Sequence, residues 1–336
     1  MARVGSEEVA THLRSAAKPY QALPLVLAGG VERFDLSAAD LALVCASHQG
    51  TPAHVRRVAS LLERAGLAAA ELGCGAEWPL DRESRRALRS GGGRAGREHH
   101  NCSGKHAGML LACRLLDWPL EGYLDPGHPL QRRILGHVAD LCGVPEHAIG
   151  LGVDGCGAPT FHLPLRAAAR GYAALADPAA AGLDAPVAAA AGRVVEAMTT
   201  APEMVAGPGT FTTRLMAATG GRLLGKEGAE STYSVAVRGP VALGIVVKIA
   251  DGGERARPGV VLDLLRQMGS LSAAELADLQ EVHTPPVVNS TGREVGRIEP
   301  DVELEGVGSG TVGSDELEPG DLEVVARAVT RERPAP

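Results

Sequence analysis

Residues 231–250 read STYSVAVRGPVALGIVVKIA, and this stretch decides which kind of sheet the fold contains. The runs 231–237 and 241–250 are rich in Val, Ile, Thr and Tyr, the residue types that favour strands. Gly239 and Pro240 lie between the two runs and mark a turn. Because a short connection joins antiparallel strands, the stretch predicts a β-hairpin within an antiparallel sheet.

Helical patterns surround this hairpin on both sides. Apolar periodicity and capping residues predict helices over 15–28, 37–46, 52–65, 81–89, 106–116, 129–142, 178–200, 259–269 and 272–280. Three consecutive glycines predict a loop over 89–98. The fold class is therefore α/β in the α+β sense, an antiparallel sheet flanked by helices.

The distribution of these elements predicts one two-lobed domain over residues 1–330. A helix-rich lobe is expected at about 50–200, and an α/β lobe is expected to form from 1–50 and 200–330. The last residues, 331–336, read RERPAP, which is typical of a loose terminal tail.

Composition and charge argue against several classes of protein. The 336-residue chain has a net charge of −7 and only 3% aromatic residues, which disfavours nucleic-acid binding. There is no apolar run of about 18 residues, and the first residues lack the apolar segment of a secretory signal, so we expect no membrane partner. Six cysteines without a Cys-x-x-Cys pair indicate free thiols rather than a disulfide framework. We therefore expect a cytoplasmic protein.

Lysine is rare in this chain. Of the 33 basic residues, 29 are arginine and only four are lysine: Lys18, Lys105, Lys226 and Lys248. Arginine stays protonated in proteins, whereas lysine can lose its proton and act as a base, a nucleophile or a metal ligand. The four lysines are therefore candidates for amine chemistry, with chance or packing as the alternative for each one taken alone.

One serine and one lysine lie close together near the start of the chain. Ser15 and Lys18 are spaced to share a helix face, which would place an amine beside a serine hydroxyl. A desolvated lysine can serve as the base for a serine nucleophile. The same spacing also occurs often by chance.

Two further segments carry the same residue types. Ser47 and His48 follow an apolar helical run, where a helix end is the alternative interpretation. Lys226 and Gly228 precede the strand at 231–237. The lysine amine could lie at the strand edge beside the exposed backbone at Gly228; the alternative is a loop that only leads into the strand.

Two cysteines lie in glycine-rich, polar surroundings, unlike the cysteines in apolar helical runs. These are Cys102 and Cys156, and Lys105 follows Cys102 by three residues. Thiolates suit zinc, and an unprotonated amine can supply a third ligand. Nearby histidines are competing ligands: His99, His100 and His106. The alternative is a helix N-cap at Ser103 with incidental thiols.

Taken together, six segments resemble the asparaginase II family, also called class 3 L-asparaginases. They are LRSAAKPYQALPLV (13–26), CASHQG (45–50), LGCGAEWPL (72–80), NCSGKHAGML (101–110), GVDGCGAPT (152–160) and GKEGAE (225–230). The resemblance runs in the same order from about Arg3 to about Val302. It implies a fold related to serine β-lactamases and glutaminases, and a homodimer.

The resemblance also implies a reaction, the hydrolysis of L-asparagine to L-aspartate and ammonia through an acyl-serine intermediate. The implied catalytic residues form two serine–lysine pairs, Ser15 with Lys18 and Ser47 with Lys226. The implied zinc ligands are Cys102, Lys105 and Cys156, with water as the fourth. The implied substrate-binding residues are Arg14, His48, Asp154 and Gly228.

Two alternatives stay open at this point. The chain could be a glutaminase or a penicillin-interacting acyl-serine enzyme, although the cysteine–lysine set argues against both. It could also be a zinc-binding relative without catalysis. Family members carry further N-terminal residues that form strands, whereas fourteen residues precede Ser15 here. We therefore expect N-terminal strands to be missing from the sheet.

Overall fold

A computed structural model describes residues 2–305, 323–326 and 331–334 of the chain. Within these residues the helices are α1 (Lys18–Gln21), α2 (Leu23–Leu27), α3 (Gly30–Arg33), α4 (Ala38–Val44), α5 (Pro52–Arg64), α6 (Arg82–Ser90), α7 (Ser103–Leu115), α8 (Pro129–Cys142), α9 (Leu165–Ala176), α10 (Ala185–Thr200), α11 (Pro202–Ala206), α12 (Phe211–Ala218), α13 (Arg257–Gln267), α14 (Ala273–Asp278) and α15 (Gln280–His283). The strands are β1 (Ala2–Val4), β2 (Ala10–His12), β3 (Gly150–Val153), β4 (Pro159–Pro164), β5 (Leu223–Gly228), β6 (Thr232–Val237), β7 (Leu243–Lys248), β8 (Pro286–Val288), β9 (Glu294–Glu299), β10 (Glu323–Ala326) and β11 (Arg331–Pro334). The fold is a mixed α and β structure, as predicted.

The predicted hairpin is present. β6 pairs antiparallel with β7, with Val235 opposite Ile245, and β5 pairs antiparallel with the other edge of β6. The complete sheet has the order β1-β10-β7-β6-β5 and differs from the predicted antiparallel sheet, because β10 runs parallel to both β7 and β1. Parallel neighbours need a long connection, and the chain provides one between β7 and β10.

Two smaller antiparallel sheets hold the remaining strands of the described residues. One has the order β2-β4-β3, and its strand β3 leads directly into the predicted Asp154–Cys156 segment. The other has the order β11-β9-β8. Residues 331–334, which the sequence assigned to a terminal tail, pair with β9 in this sheet. The division of the chain into two lobes stays a prediction, as does the likeness to serine β-lactamases.

Prolines and N-cap side chains explain where most of the described helices begin. α8 has the predicted bounds, and α4 begins after Ser37, whose hydroxyl accepts the amide N–H of Asp40 in a capping box. The predicted helix over 15–28 is divided into a 3-10 turn (Arg14–Ala17), α1 and α2. Pro19 and Pro24 each lie in the first turn of a new helix, where the missing N–H costs nothing.

The sequence patterns did not predict α9, the helix that packs on one face of the main sheet. This helix packs against β7 at very short range. A Cβ atom on Gly244 would lie only 1.8 Å from the carbonyl oxygen of Ala169, so the sheet carries a glycine where the helix crosses it.

The candidate chemistry lies where several core elements meet. The larger apolar cluster is built mainly from α1, α2, α4 and α7 to α10, and a second cluster packs α13 against the main sheet. Lys18 on α1 and Lys226 on β5 are both fully buried. No helix in the described part of the chain is long and apolar enough to cross a membrane.

Candidate active site

Two buried lysines converge on one serine. The Nζ atoms of Lys18 and Lys226 each lie 2.8 Å from Oγ of Ser47. Ser47 and Lys226 are separated by 179 positions in the chain, so only folding brings them together. The predicted contact between these two residues is confirmed. Both amines have 0% exposure and the serine 8%, so this centre is largely shielded from solvent.

Local structure explains how the serine is placed. Ser47 follows the C-terminus of α4, and its backbone N–H donates to the carbonyl of Val205. Helix α7 packs closely against the same end of α4, because Gly104 has no side chain. A Cβ atom on Gly104 would lie 2.2 Å from the carbonyl oxygen of Leu43. This close approach brings the start of α7 near the serine centre.

Ser15 lies beside this centre but not in the predicted contact. It is half-buried in the 3-10 turn, and within the described residues its hydroxyl makes no hydrogen bond to Lys18. The Lys18 amine donates instead to the carbonyl of Ala46 at 2.5 Å, to Ser47, and to Sγ of Cys102 at 3.3 Å. A fully buried amine needs hydrogen-bond partners, and Ala46, Ser47 and Cys102 supply them.

Burial makes Lys226 an easily deprotonated amine. Desolvation lowers its pKa to about 8, and the neighbouring Lys18 adds to the effect. The carboxylate of Glu227 opposes it, because its Oε1 lies 3.0 Å from the Lys226 amine. A neutral Lys226 can accept the proton of the Ser47 hydroxyl, so this serine can be activated near neutral pH.

Glu227 belongs to a buried polar chain that the sequence analysis did not find. Its Oε2 accepts a hydrogen bond from the hydroxyl of Thr212 at 2.7 Å, and the Thr212 hydroxyl lies 3.0 Å from the hydroxyl of Tyr233. Burial raises the pKa of Glu227, but Lys226 and Thr212 more than offset this and leave it below its usual range. The signal available in the sequence was the position of Glu227, which directly follows the candidate catalytic residue Lys226.

The predicted zinc ligands also come together. Nζ of Lys105 lies 2.8 Å from Sγ of Cys156, and Lys105 and the two cysteines are almost completely buried. A hydrogen bond from the Cys156 thiol, together with the charges of Lys18 and Lys105, holds the pKa of Cys102 well below its usual range despite burial. Burial lowers the pKa of Lys105, but the two sulfur atoms outweigh it and the pKa is raised.

This donor set fits a zinc ion in its chemistry, although zinc itself stays a prediction. Two thiols and one amine are ligand types that zinc accepts. The described residues hold no cluster of three or more His, Cys, Asp or Glu side chains able to bind a metal, so a metal here would need the amine.

The competing histidines have other partners. Nδ1 of His100 accepts the backbone N–H of Cys102, and Nδ1 of His99 accepts that of Gly96. His106 is fully buried and its Nδ1 lies 2.6 Å from the hydroxyl of Tyr123. The N-cap position of α7 is occupied by Cys102, so the alternative prediction of a cap at Ser103 was wrong by one residue.

His48 directly follows Ser47, but its side chain points into the protein interior. Its Nδ1 accepts the backbone N–H of Gly50, so its Nε2 carries the proton and donates to Oγ of Ser103 at 2.8 Å. Burial holds the pKa of His48 well below its usual range, so the ring is neutral. With 0% exposure and both nitrogens bonded, the side chain offers no group to a substrate and instead fixes the start of α7.

The three other predicted substrate-binding residues form a group beside Ser15. Nε of Arg14 lies 2.7 Å from Oδ1 of Asp154, which joins the 3-10 turn to the Cys156 loop. Gly228 lies against the same turn, since a Cβ atom there would lie 2.7 Å from the carbonyl oxygen of Leu13. Strand β5 can therefore approach the turn closely only with glycine at this position.

Comparison with known proteins identifies the family. A family model described as L-asparaginase II matches residues 1–300. A comparison with curated proteins finds no match. The matched segment contains both serine–lysine pairs, the cysteine–lysine set and the residues around Arg14. Because the match covers most of the chain, the protein belongs to the L-asparaginase II family.

Proposed function

We propose that the protein is an L-asparaginase, which hydrolyses L-asparagine to L-aspartate and ammonia through an acyl-serine intermediate. Family membership supports an asparaginase-type function and an amidohydrolase. The observation that carries the proposal is the Ser47 hydroxyl held between two buried amines, 2.8 Å from each. Such an arrangement can take a proton from a serine and later give it to a leaving amine.

We assign the attack on the side-chain amide to Ser15, whose hydroxyl has no hydrogen bond within the described residues. The proton leaves through Lys18, which already contacts Ser47, and the chain Lys18–Ser47–Lys226 delivers it to the departing ammonia. A β-aspartyl ester forms on the serine, and water hydrolyses it to L-aspartate. Ser47 is a second candidate for the nucleophile, because it is the serine in contact with both amines.

Cys102, Lys105 and Cys156 would hold the zinc ion. When bound, zinc supplies a Lewis-acidic position that can orient a polar group of the substrate. The protein groups contribute separately, since Arg14 and Asp154 lie beside Ser15 and can position charged groups of the substrate.

Ammonia release tests the proposal. Wild-type protein should release ammonia from L-asparagine faster than from L-glutamine and should not be acylated by a β-lactam. Preference for glutamine or stable acylation by the β-lactam would favour the alternative enzymes. A protein that binds zinc and releases no ammonia from either amide would contradict catalysis altogether.

Trapping the intermediate identifies the nucleophile. Rapid acid quenching followed by peptide mass spectrometry should place the β-aspartyl adduct on the peptide with Ser15, and Ser15→Ala should abolish turnover. Ser6→Ala, at an exposed position, is the control. An adduct on Ser47 that persists in Ser15→Ala would transfer the nucleophile role to Ser47.

A further inference from the structure

Glu230 is an exposed carboxylate at the predicted substrate-binding group, and neither the sequence patterns nor the proposed reaction uses it. Its Oε1 lies 2.8 Å from Nη1 of Arg14, the residue directly before Ser15. The Glu230 side chain is 70% exposed, whereas that of Asp154, the other carboxylate on Arg14, is 10% exposed. Arg14 therefore lies between one buried and one accessible carboxylate.

The backbone of this segment is strained. Glu230 and Ser231, in the loop between β5 and β6, have φ angles of 59° and 57°, and Arg14 has a φ angle of 51°. Side-chain-bearing residues rarely adopt these left-handed values, and strained positions concentrate at ligand-binding and catalytic sites. Glycine would adopt the backbone conformation at position 230 without strain. The presence of a glutamate there therefore suggests that its side chain has a function.

Lys248, the remaining lysine of the chain, holds this loop. Its amine donates a hydrogen bond to the backbone carbonyl of Glu230. This contact fixes the loop backbone and does not involve the Glu230 carboxylate, whose Oε1 lies on Arg14. Within the described residues, Oε2 of Glu230 accepts no hydrogen bond. The loop therefore presents a fixed backbone with one carboxylate oxygen available to a ligand.

The charges around Arg14 match a zwitterion. The Arg14 guanidinium and the Lys248 amine lie beside the carboxylates of Asp154 and Glu230, so the group next to Ser15 carries charges of both signs. Nη2 of Arg14 donates no hydrogen bond within the described part of the chain, so a carboxylate can bind there while Nε stays on Asp154. A free amino acid brings one carboxylate and one ammonium group, and Glu230 Oε2 offers the matching acceptor for the ammonium group.

We propose that Glu230 binds the α-ammonium group of the substrate while Arg14 binds its α-carboxylate, so that the site selects free α-amino acid amides. This inference rests on the proposed asparaginase function. Simple amides and amides without an α-amino group would leave the Glu230 carboxylate without a partner, and they would be poor substrates.

Succinamic acid tests the inference, because it is asparagine without the α-amino group. Glu230→Gln should lower kcat/KM for L-asparagine by about ten- to a hundredfold, mainly through KM, and leave kcat/KM for succinamic acid unchanged. Glu230→Asp should restore part of the asparagine activity. Glu281→Gln is the matched control, since Glu281 forms an exposed ion pair with Arg214 outside the candidate site.

Calorimetric titration with L-aspartate and succinate gives a readout that does not depend on turnover. Glu230→Gln should weaken L-aspartate binding and leave succinate binding unchanged. Equal losses for both ligands would show that Glu230 only positions Arg14, and no loss for either would show that it has no role; both results overturn the inference. A wild-type protein that binds L-aspartate through Glu230 but releases no ammonia would overturn the proposed function instead.

Discussion

Lys226 and Lys105 are both fully buried amines on core elements, but their neighbours set them in opposite states. Around Lys226 desolvation is the dominant influence, and it lowers the pKa to about 8 although Glu227 opposes it. Around Lys105 desolvation has the same direction, but the sulfur atoms of Cys156 and Cys102 outweigh it and the pKa is raised. One amine is therefore ready to accept a proton, and the other keeps its proton until something displaces it.

The difference shows that burial alone does not decide what a lysine can do. Lys226 can act as a base because the effect of burial on its pKa outweighs the opposing carboxylate of Glu227, and Lys18 adds to the effect of burial. Lys105 has two sulfur atoms as neighbours, so a metal ion can take the place of its proton and bind all three groups. The following predictions test this contrast.

Removal of the Lys226 amine should have the largest effect. Lys226→Met removes the base that contacts Ser47, so kcat should fall roughly 10²–10⁴-fold, the usual contribution of a positioned general base. Lys226→Arg is the matched variant, because it keeps the charge but cannot deprotonate. Both should lose activity while circular dichroism shows a folded protein; an active arginine variant would mean that Lys226 supplies only charge.

Lys105→Arg should act on metal binding. Arginine keeps the positive charge near the two cysteines but cannot ligate zinc, so the affinity should fall by more than the roughly 10–100-fold typical of losing an outer-shell contact. Elemental analysis after dialysis against zinc buffers gives the measurement. Stoichiometric zinc at unchanged affinity in this variant would remove Lys105 from the ligand set.

Zinc affinity should also depend on pH. The raised pKa of Lys105 means that zinc must displace a proton, so affinity should increase about tenfold per pH unit for each proton released. Competition with a chelator between pH 6 and 8 measures this slope. A flat profile would show that the amine does not exchange its proton for the metal.

Glu227→Gln should have the smallest effect on activity, and it should shift the pH dependence of activity in one direction. Activity that needs neutral Lys226 should rise as pH increases through about 8. The Glu227 carboxylate stabilises the ammonium form and raises this pKa, so its removal should shift the rising limb to lower pH by about one unit. A shift of the limb to higher pH, or a uniform loss at every pH, would contradict the assigned role. Glu281→Gln should leave the profile unchanged.

Much of the fold follows from local patterns. The hairpin of β6 and β7 and the bounds of α8 are recognisable because strand propensity, turn residues and caps act over a few residues. The parallel pairing of β10 with β7 and the packing of α9 on Gly244 are not recognisable, because both depend on segments far apart in the chain. Helix α9 is itself amphipathic, and what the sequence does not show is which strand it covers.

The sequence by itself determined which chemical groups the protein can use, since a chain with 29 arginines and four lysines has only four side-chain amines able to lose a proton. Only the tertiary structure decided which serine those amines contact. The spacing of Ser15 and Lys18 predicted a local pair, but the Lys18 amine reaches Ser47 and Ala46 instead. A lysine side chain is long and flexible, and once buried it goes where acceptors are found, which depends on the whole fold and not on spacing.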